Sequence, residues 1–257
     1  MIGQAAAGDL GNKRRPSPKI WKDFLWADTN QRPAEGFVIH EDFQDGPPFT
    51  DAAPGAWKNF AYFGSSTSGN AANFVDADGI SAIVVNPTAD EEAFVLTTSA
   101  AAIRITKNSG RKVAFEARFK VSSIADSEGG VFLGLWEPIV PTATSHIADA
   151  ATLADDNFIG FHRLEGDGDK LDLVWKADGQ TQHSDIDAIT LVADTYIKVG
   201  FLFDGLETIK FFQDESPLAA SLYDAASADL VAVTFPSDIN LTVALAIKSG
   251  SGVTSNT

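Results

Sequence analysis

The sequence predicts an all-β fold, a two-sheet antiparallel jelly-roll sandwich with an extended N-terminal arm. About a dozen short apolar segments are separated by Gly, Asp, Pro and Ser, a spacing typical of sandwiches. Residues 111–121 alternate apolar and polar side chains without a break, as a strand with one buried face does. Residues 195–214 form two such runs joined at Asp204-Gly205, a dipeptide favoured in two-residue hairpin turns.

The same alternation places the individual strands. In residues 111–121, one face is apolar and packs on a core, whereas the other face is polar and points to solvent. Residues 131–136 are apolar on both faces, which predicts a central strand. Further strands are expected at residues 36–43, 57–63, 80–85, 93–97, 102–106, 158–164, 171–175, 196–203, 206–212 and 241–247.

Composition limits the class of protein. The chain has 257 residues, 44% of them hydrophobic, and no cysteine, so it can form a large core but no disulfide or thiolate site. We expect one sandwich domain, residues 36–257, preceded by an arm, residues 1–35. No apolar run approaches the roughly 20 residues of a membrane span, and the N-terminus lacks the apolar region of a signal peptide.

Charge separates the arm from the domain. Residues 1–22 contain five Lys or Arg and one Asp, a net charge of 5 − 1 = +4, which leaves −16 − 4 = −20 for the rest. A domain with this much negative charge disfavours nucleic acid and anionic membranes as partners, whereas the basic arm could bind an acidic protein surface. The residues predicted to bind that partner are Lys13, Arg14, Arg15, Lys19, Trp21, Phe24 and Trp26. The alternatives are an arm that only solubilises the chain, and docking of residues 20–26 on their own domain.

We find no catalytic signature. Glu116 and Asp172 are lone carboxylates on separate strands and are expected to face solvent. The four histidines, His40, His146, His162 and His183, lack metal-ligand spacing and are expected to be surface or satisfied strand residues. The sequence therefore predicts no catalytic residue, no metal ligand and no cofactor.

A run of carboxylates and three aromatic residues are further candidates for binding sites. Residues 165–172 carry alternating carboxylates that could bind Ca²⁺, but they lack an acidic twelfth position and lie where a hairpin turn is expected. A plain turn is therefore favoured. For sugar stacking the candidates are Trp136, Trp175 and Tyr223, although aromatic residues on alternating strands are more often part of the core.

From Arg111 onward, the chain contains the segments VAFEARFKV, GVFLGLWE, NFIGFHRL, KLDLVWKADG, TYIKVGFLFDGLETIKFF and NLTVALAIKSGSG. Their succession resembles the concanavalin A-like lectin/glucanase superfamily. The resemblance covers roughly residues 37–252 and implies a jelly-roll sandwich, in a superfamily that contains lectins, hydrolases and structural modules. A glucanase would have a Glu-x-Asp-x-x-Glu strand, which is absent. The family usually adds one more strand after the segment at the C-terminus, which predicts a possible exposed edge there.

The arm running into the sandwich, PSPKIWKDFLWADTNQRPAEGFVIHEDF, is similar to bacteriophage virion structural proteins. That resemblance implies a non-enzymatic capsid decoration or cement protein, assembled in the host cytoplasm. Its partners would be major capsid or tail proteins and further copies of itself. Two alternatives stay open: a lectin-like carbohydrate-binding module for host adhesion, and a divergent glycoside hydrolase.

Overall fold

The computed structural model describes residues 16–21, 38–39, 55–64, 71–75, 81–85, 93–125, 129–138, 146–149, 152–206, 208–219 and 233–250. These residues form one four-residue helix and seventeen strands. The elements are α1 (Pro18–Trp21), β1 (Gly55–Trp57), β2 (Phe60–Gly64), β3 (Ala71–Val75), β4 (Ser81–Val85), β5 (Ala93–Thr98), β6 (Ile103–Ile105), β7 (Val113–Phe119), β8 (Gly130–Trp136), β9 (Ile147–Asp149), β10 (Thr152–Leu153), β11 (Phe158–Arg163), β12 (Lys170–Lys176), β13 (His183–Thr190), β14 (Ile197–Phe203), β15 (Ile209–Gln213), β16 (Ser216–Pro217) and β17 (Ile239–Lys248).

Two antiparallel sheets form a sandwich. The large sheet has nine strands in the order β1-β2-β5-β17-β8-β11-β12-β13, with β6 also paired to β17. The small sheet has four strands in the order β16-β15-β14-β7, and β3–β4 and β9–β10 form separate hairpins. The predicted all-β, two-sheet antiparallel sandwich is therefore confirmed. In the part of the chain that the structure describes, no helix is long and apolar enough to cross a membrane.

The main core lies between the two sheets. Phe115, Phe201 and Phe211 of the small sheet are buried with Leu133 and Phe161 of the large sheet in one cluster. The rings of Phe161 and Phe211 meet edge to face with centroids 5.6 Å apart, a favoured aromatic geometry. Phe115 is buried, and Val113, Ala117, Phe119 and Val121 of the same run pack against this cluster, so the predicted core face of residues 111–121 is confirmed.

Strand β8 is buried on both of its faces. Leu133 and Leu135 point into the inter-sheet core, whereas Phe132 and Trp136 belong to a second cluster on the opposite face. The strand lies between β17 and β11, so the predicted central strand is confirmed. We call the face of the large sheet that points away from the small sheet its outer face.

Strand β17 is also internal. It pairs with β8 along residues 242–248 and with β5 along residues 244–248. The exposed edge that the family pattern suggested is therefore not found at this strand.

The Asp204-Gly205 hairpin exists, but its turn differs from the predicted one. The last paired residues of β14 and β15 are Phe203 and Ile209, so five residues, not two, connect the strands. Gly205 has a φ of +81°, and Asp204 is not among the residues with positive φ. Instead, Asp204 Oδ1 accepts hydrogen bonds from the backbone N–H of Leu206 at 2.8 Å and of Thr208 at 3.0 Å. A side chain that satisfies two loop N–H groups makes this longer loop stable.

We predict that Asp204→Ala lowers the free energy of unfolding by about 1 kcal/mol, because two loop N–H groups lose their acceptor. Asp204→Asn keeps a side-chain oxygen and should lose clearly less. Urea denaturation followed by tryptophan fluorescence measures both variants. Equal losses in the two would show that the side-chain acceptor does not stabilise the loop.

Candidate functional site

The β11–β12 hairpin brings three polar side chains together on the outer face of the large sheet. His162 on β11 is in register with Asp172 on β12 and with Phe132 on β8. Asp167 lies in the turn between the two strands. The sequence alone does not indicate that these three residues meet, because the hairpin register that brings them together is a property of the folded chain. We call His162, Asp167 and Asp172 the outer-face cluster.

The imidazole of His162 lies close to both carboxylates. Its Nδ1 is 3.8 Å from Asp167 Oδ2, and its Nε2 is 3.9 Å from Asp172 Oδ2. Both distances are too long for a hydrogen bond. One ligating atom from each of the three residues lies within 4.8 Å of the others. Within the described chain, the buried Nδ1 of His162 has no hydrogen-bond partner.

The backbone holds both carboxylates in place. Asp167 Oδ2 accepts the N–H of Leu164 at 2.6 Å. Asp172 Oδ1 accepts the N–H of Asp187 at 2.8 Å. Asp187 has a φ of +62° and lies within an irregularity in the β12–β13 pairing. Bulges of this kind redirect backbone groups and are frequent beside functional sites.

Arg163 connects the turn to the rest of the domain. Its guanidinium donates to the carbonyl of Gly168 at 2.5 Å and to that of Ala125 at 2.6 Å. The side chain is only 2% exposed. Arg163 therefore holds the turn that carries Asp167 against a neighbouring loop.

Burial sets the charge state of the outer-face cluster. It lowers the pKa of His162 to about 4, so the imidazole is neutral near pH 7 and keeps a free lone pair. Burial also raises the pKa of Asp167, against the opposing effects of the Leu164 N–H and the Arg163 charge. A neutral imidazole beside two carboxylates can ligate a divalent cation or accept hydrogen bonds from hydroxyl groups.

These findings correct several sequence predictions. Asp172 and Glu116 were expected to face solvent, but their side chains are only 7% and 9% exposed. Neither His162 nor His146 is a surface or satisfied residue. In the described chain both ring nitrogens of His146 lack a hydrogen-bond partner, and burial lowers the pKa of His146 to about 3. The expected turn at residues 165–172 is present between β11 and β12.

The two tryptophans proposed for sugar stacking are fully buried. Trp136 stacks on Phe158 at 4.4 Å between ring centroids, and its indole N–H donates to Asp156 at 2.9 Å. Trp175 belongs to the inter-sheet core. Both are 0% exposed, because each lies on a strand with neighbours on both sides, so neither offers a face to a sugar in this structure. Tyr223 lies outside the described residues.

The predicted partner-binding arm is described only in part. Ser17 and Ile20 are buried on the small sheet, and the Trp21 indole N–H donates to Glu116 Oε2 at 2.9 Å. Ile20 and Trp21 therefore dock on the chain's own domain, which was one of the alternatives. Their segment covers the polar face of β7 at Glu116. Lys19 is exposed. Lys13, Arg14, Arg15, Phe24 and Trp26 lie outside the described residues.

Comparison with known proteins identifies structural neighbours but no family. No known protein family matches the chain, and no curated protein does. The carbohydrate recognition domain of Emp46p is 10% identical, with a TM-score of 0.44 over 76% of this chain and 83% of that one. A carbohydrate esterase of the Shiga toxin-encoding bacteriophage phi24B is 14% identical, with a TM-score of 0.40 over 74% and 90%.

A third neighbour is described as an endo-acting O-glycanase of human gut microbiota. It is 8% identical, with a TM-score of 0.41 over 83% of this chain and 86% of that one. At identities of 8–14% and TM-scores of 0.40–0.44, these similarities carry no conclusion about the superfamily, the role or the ligand of this chain.

We predict that acid destabilises the domain through its buried imidazoles. The unfolded chain binds a proton on each near the ordinary pKa of 6.5, whereas in the folded chain the pKa is about 4 for His162 and about 3 for His146. Between those values the unfolded state binds more protons, so stability is fully present above pH 6.5 and falls as the pH falls.

Replacing one imidazole tests this. His146→Leu should make the loss of stability between pH 6.5 and 4 shallower, which denaturant midpoints at a series of pH values measure. The same slope in the variant and the natural protein would show that His146 does not contribute.

Proposed function

We propose that this chain is a non-enzymatic carbohydrate-recognition module that binds its ligand at the outer-face cluster. The convergence of His162, Asp167 and Asp172 on one face of the large sheet is the observation that carries the proposal. Sugar hydroxyls are donors that carboxylates and a neutral imidazole accept well. Asp167 is 30% exposed, whereas His162 and Asp172 are buried, so a ligand would approach from the side of Asp167.

The cluster also fits a divalent cation, which would hold sugar hydroxyls as additional ligands. The donors are the type that a borderline or hard cation takes, an imidazole nitrogen and two carboxylates. The buried Nδ1 of His162, without a hydrogen-bond partner in the described chain, is consistent with a missing ligand. Gln182 Nε2, 3.4 Å from His162 Nε2, is a further polar group beside the site.

Recognition is favoured over hydrolysis by the burial and the backbone hydrogen bonds of the two carboxylates. A retaining glycosidase needs two carboxyl groups about 5–5.5 Å apart with the glycosidic bond between them. The Asp172 side chain is only 7% exposed and accepts the N–H of Asp187, and Asp167 accepts the N–H of Leu164. A glycosidic oxygen therefore has no open approach to Asp172.

We predict that Asp167→Asn weakens carbohydrate binding at least about tenfold. A hydrogen bond to a charged group contributes ~1.5–3 kcal/mol, and 1.4 kcal/mol is a factor of ten. Binding is measured by a glycan array and then by calorimetry on the retained sugar, with Ca²⁺ or Mn²⁺ and with a chelator.

Asp169→Asn is the matched control, because Asp169 lies in the same turn but pairs with Lys170 at 3.2 Å outside the cluster. It should bind as the natural protein does. A glycan array on which nothing is retained, with or without cation, would overturn the proposal.

A second candidate function is a virion structural role, in which the module is displayed on a capsid or tail through its arm. The docking of Ser17, Ile20 and Trp21 on the small sheet supports it. That docking fixes Ser17 on the sheet, two residues after Arg15 in the sequence, so a particle surface that binds Lys13, Arg14 and Arg15 would hold the domain through a short connection. The outer-face cluster lies on the other sheet, so attachment and ligand binding would not compete.

For this role we predict that replacing Lys13, Arg14 and Arg15 by serine abolishes co-sedimentation with particles assembled without the protein, since the arm then lacks its basic charge. The charge-matched control replaces Lys112, Lys120 and Lys210, three exposed lysines of the sandwich domain, by serine and should attach normally. Unchanged attachment of the triple variant would exclude the arm as an electrostatic anchor.

A further inference from the structure

The small sheet carries a groove that is occupied by the chain's own N-terminal segment. Gly200 on β14 is in register with Glu116 on β7 and with Phe212 on β15. A Cβ added at Gly200 would lie 2.8 Å from Ile20 Cδ1, so the missing side chain makes room for Ile20. We call Glu116, Lys198, Gly200 and Phe212 the arm groove.

The groove recognises the segment through charge as well as shape. Glu116 Oε2 accepts the backbone N–H of Ser17 at 2.9 Å and the indole N–H of Trp21 at 2.9 Å. Glu116 Oε1 is 3.3 Å from Lys198 Nζ, and the Lys198 side chain is 3% exposed. A buried ion pair is favourable only when its remaining hydrogen-bonding capacity is satisfied. The Ser17 N–H and the Trp21 indole N–H donate to Glu116 and satisfy part of that capacity.

Residues 17–21 are therefore a docked peptide rather than a strand of the sheet. Glu116 lies 95 to 99 residues away from its two donors in the sequence. The contacts depend on an aliphatic side chain, an indole and a free N–H at the spacing Ser17-x-x-Ile20-Trp21. Nothing in them requires that the peptide and the groove belong to the same molecule.

We infer that the arm groove also accepts residues 17–21 of a second copy of this chain, so that copies associate by exchanging arms. Charge supports this occupant: residues 1–22 carry +4 and the remainder −20, so the arm of one copy is attracted to the domain of another. Chain length allows it as well. The sixteen residues 22–37 could span at most about 55 Å, at ~3.3–3.6 Å per residue, so the length of the chain does not confine residues 17–21 to the groove of their own domain.

Two full-length variants test the contributions of the arm and of the arm groove separately. Ile20→Asp cannot dock its arm but keeps the groove, whereas Glu116→Ala keeps the arm and loses the acceptor in the groove. We expect each variant alone to be a monomer in sedimentation velocity, and an equimolar mixture to form a heterodimer. Glu116→Gln, which has nearly the same shape but lacks the charge that faces both Lys198 and the two N–H donors, is a second groove variant should Glu116→Ala fail to fold.

A labelled peptide of residues 13–26 reports on the groove itself. It should bind Ile20→Asp at least tenfold more tightly than the natural protein, whose groove is occupied, and tenfold more tightly than an Ile20→Asp, Glu116→Ala double variant. Val233→Asp, at a position 76% exposed outside both the arm and the arm groove, is the control and should behave as the natural protein. A mixture that stays monomeric at concentrations where the peptide binds overturns arm exchange, and so does a peptide that does not bind. Neither result affects carbohydrate binding, which is measured on the other sheet.

Discussion

Burial of the central strands of the large sheet on both faces is the constraint on which the rest of this structure depends. Strands β8 and β11 place one set of side chains in the inter-sheet core and the other on the outer face, and both sets are buried. Where the two strands pair, Gly160 faces Gly134, and a Cβ on either would lie about 3.0 Å from Phe132 Cζ. The glycine pair thus provides the space in which the Phe132 ring packs over the sheet.

The chemistry of the outer-face cluster follows from the same constraint. A polar side chain on a doubly buried strand must be neutral, paired or ligated, because an isolated buried charge is very unfavourable. His162 is neutral near pH 7, because burial lowers its pKa. Asp172 is paired, because Asp187 donates its backbone N–H to the carboxylate. The small sheet solves the same problem at Glu116 and Lys198 by covering them with the N-terminal segment. Buried polar groups therefore mark a candidate site on each sheet.

Much of the fold could be predicted from alternation, whereas the candidate site could not. The period of two in residues 111–121 correctly separated core residues such as Phe115 from polar ones such as Glu116. It could not reveal that Glu116 is covered, since the covering residues lie 95 or more positions away. Trp136 illustrates the opposite error: an aromatic residue that could stack on a sugar is enclosed by Phe158, Phe132 and His146. Burial of one side chain depends on elements that local periodicity does not specify.

The sequence by itself determined the all-β class, the central position of β8 and the existence of the β14–β15 hairpin. These are properties of residues two apart or in direct succession, so local sterics and hydrophobicity decide them. Only the tertiary structure decided which residues meet. The register of the β11–β12 hairpin brings His162 to Asp167 and Asp172, and docking of residues 17–21 on the small sheet brings Ile20 to Gly200. Such contacts depend on strand pairing and close packing, which are set by the whole domain at once.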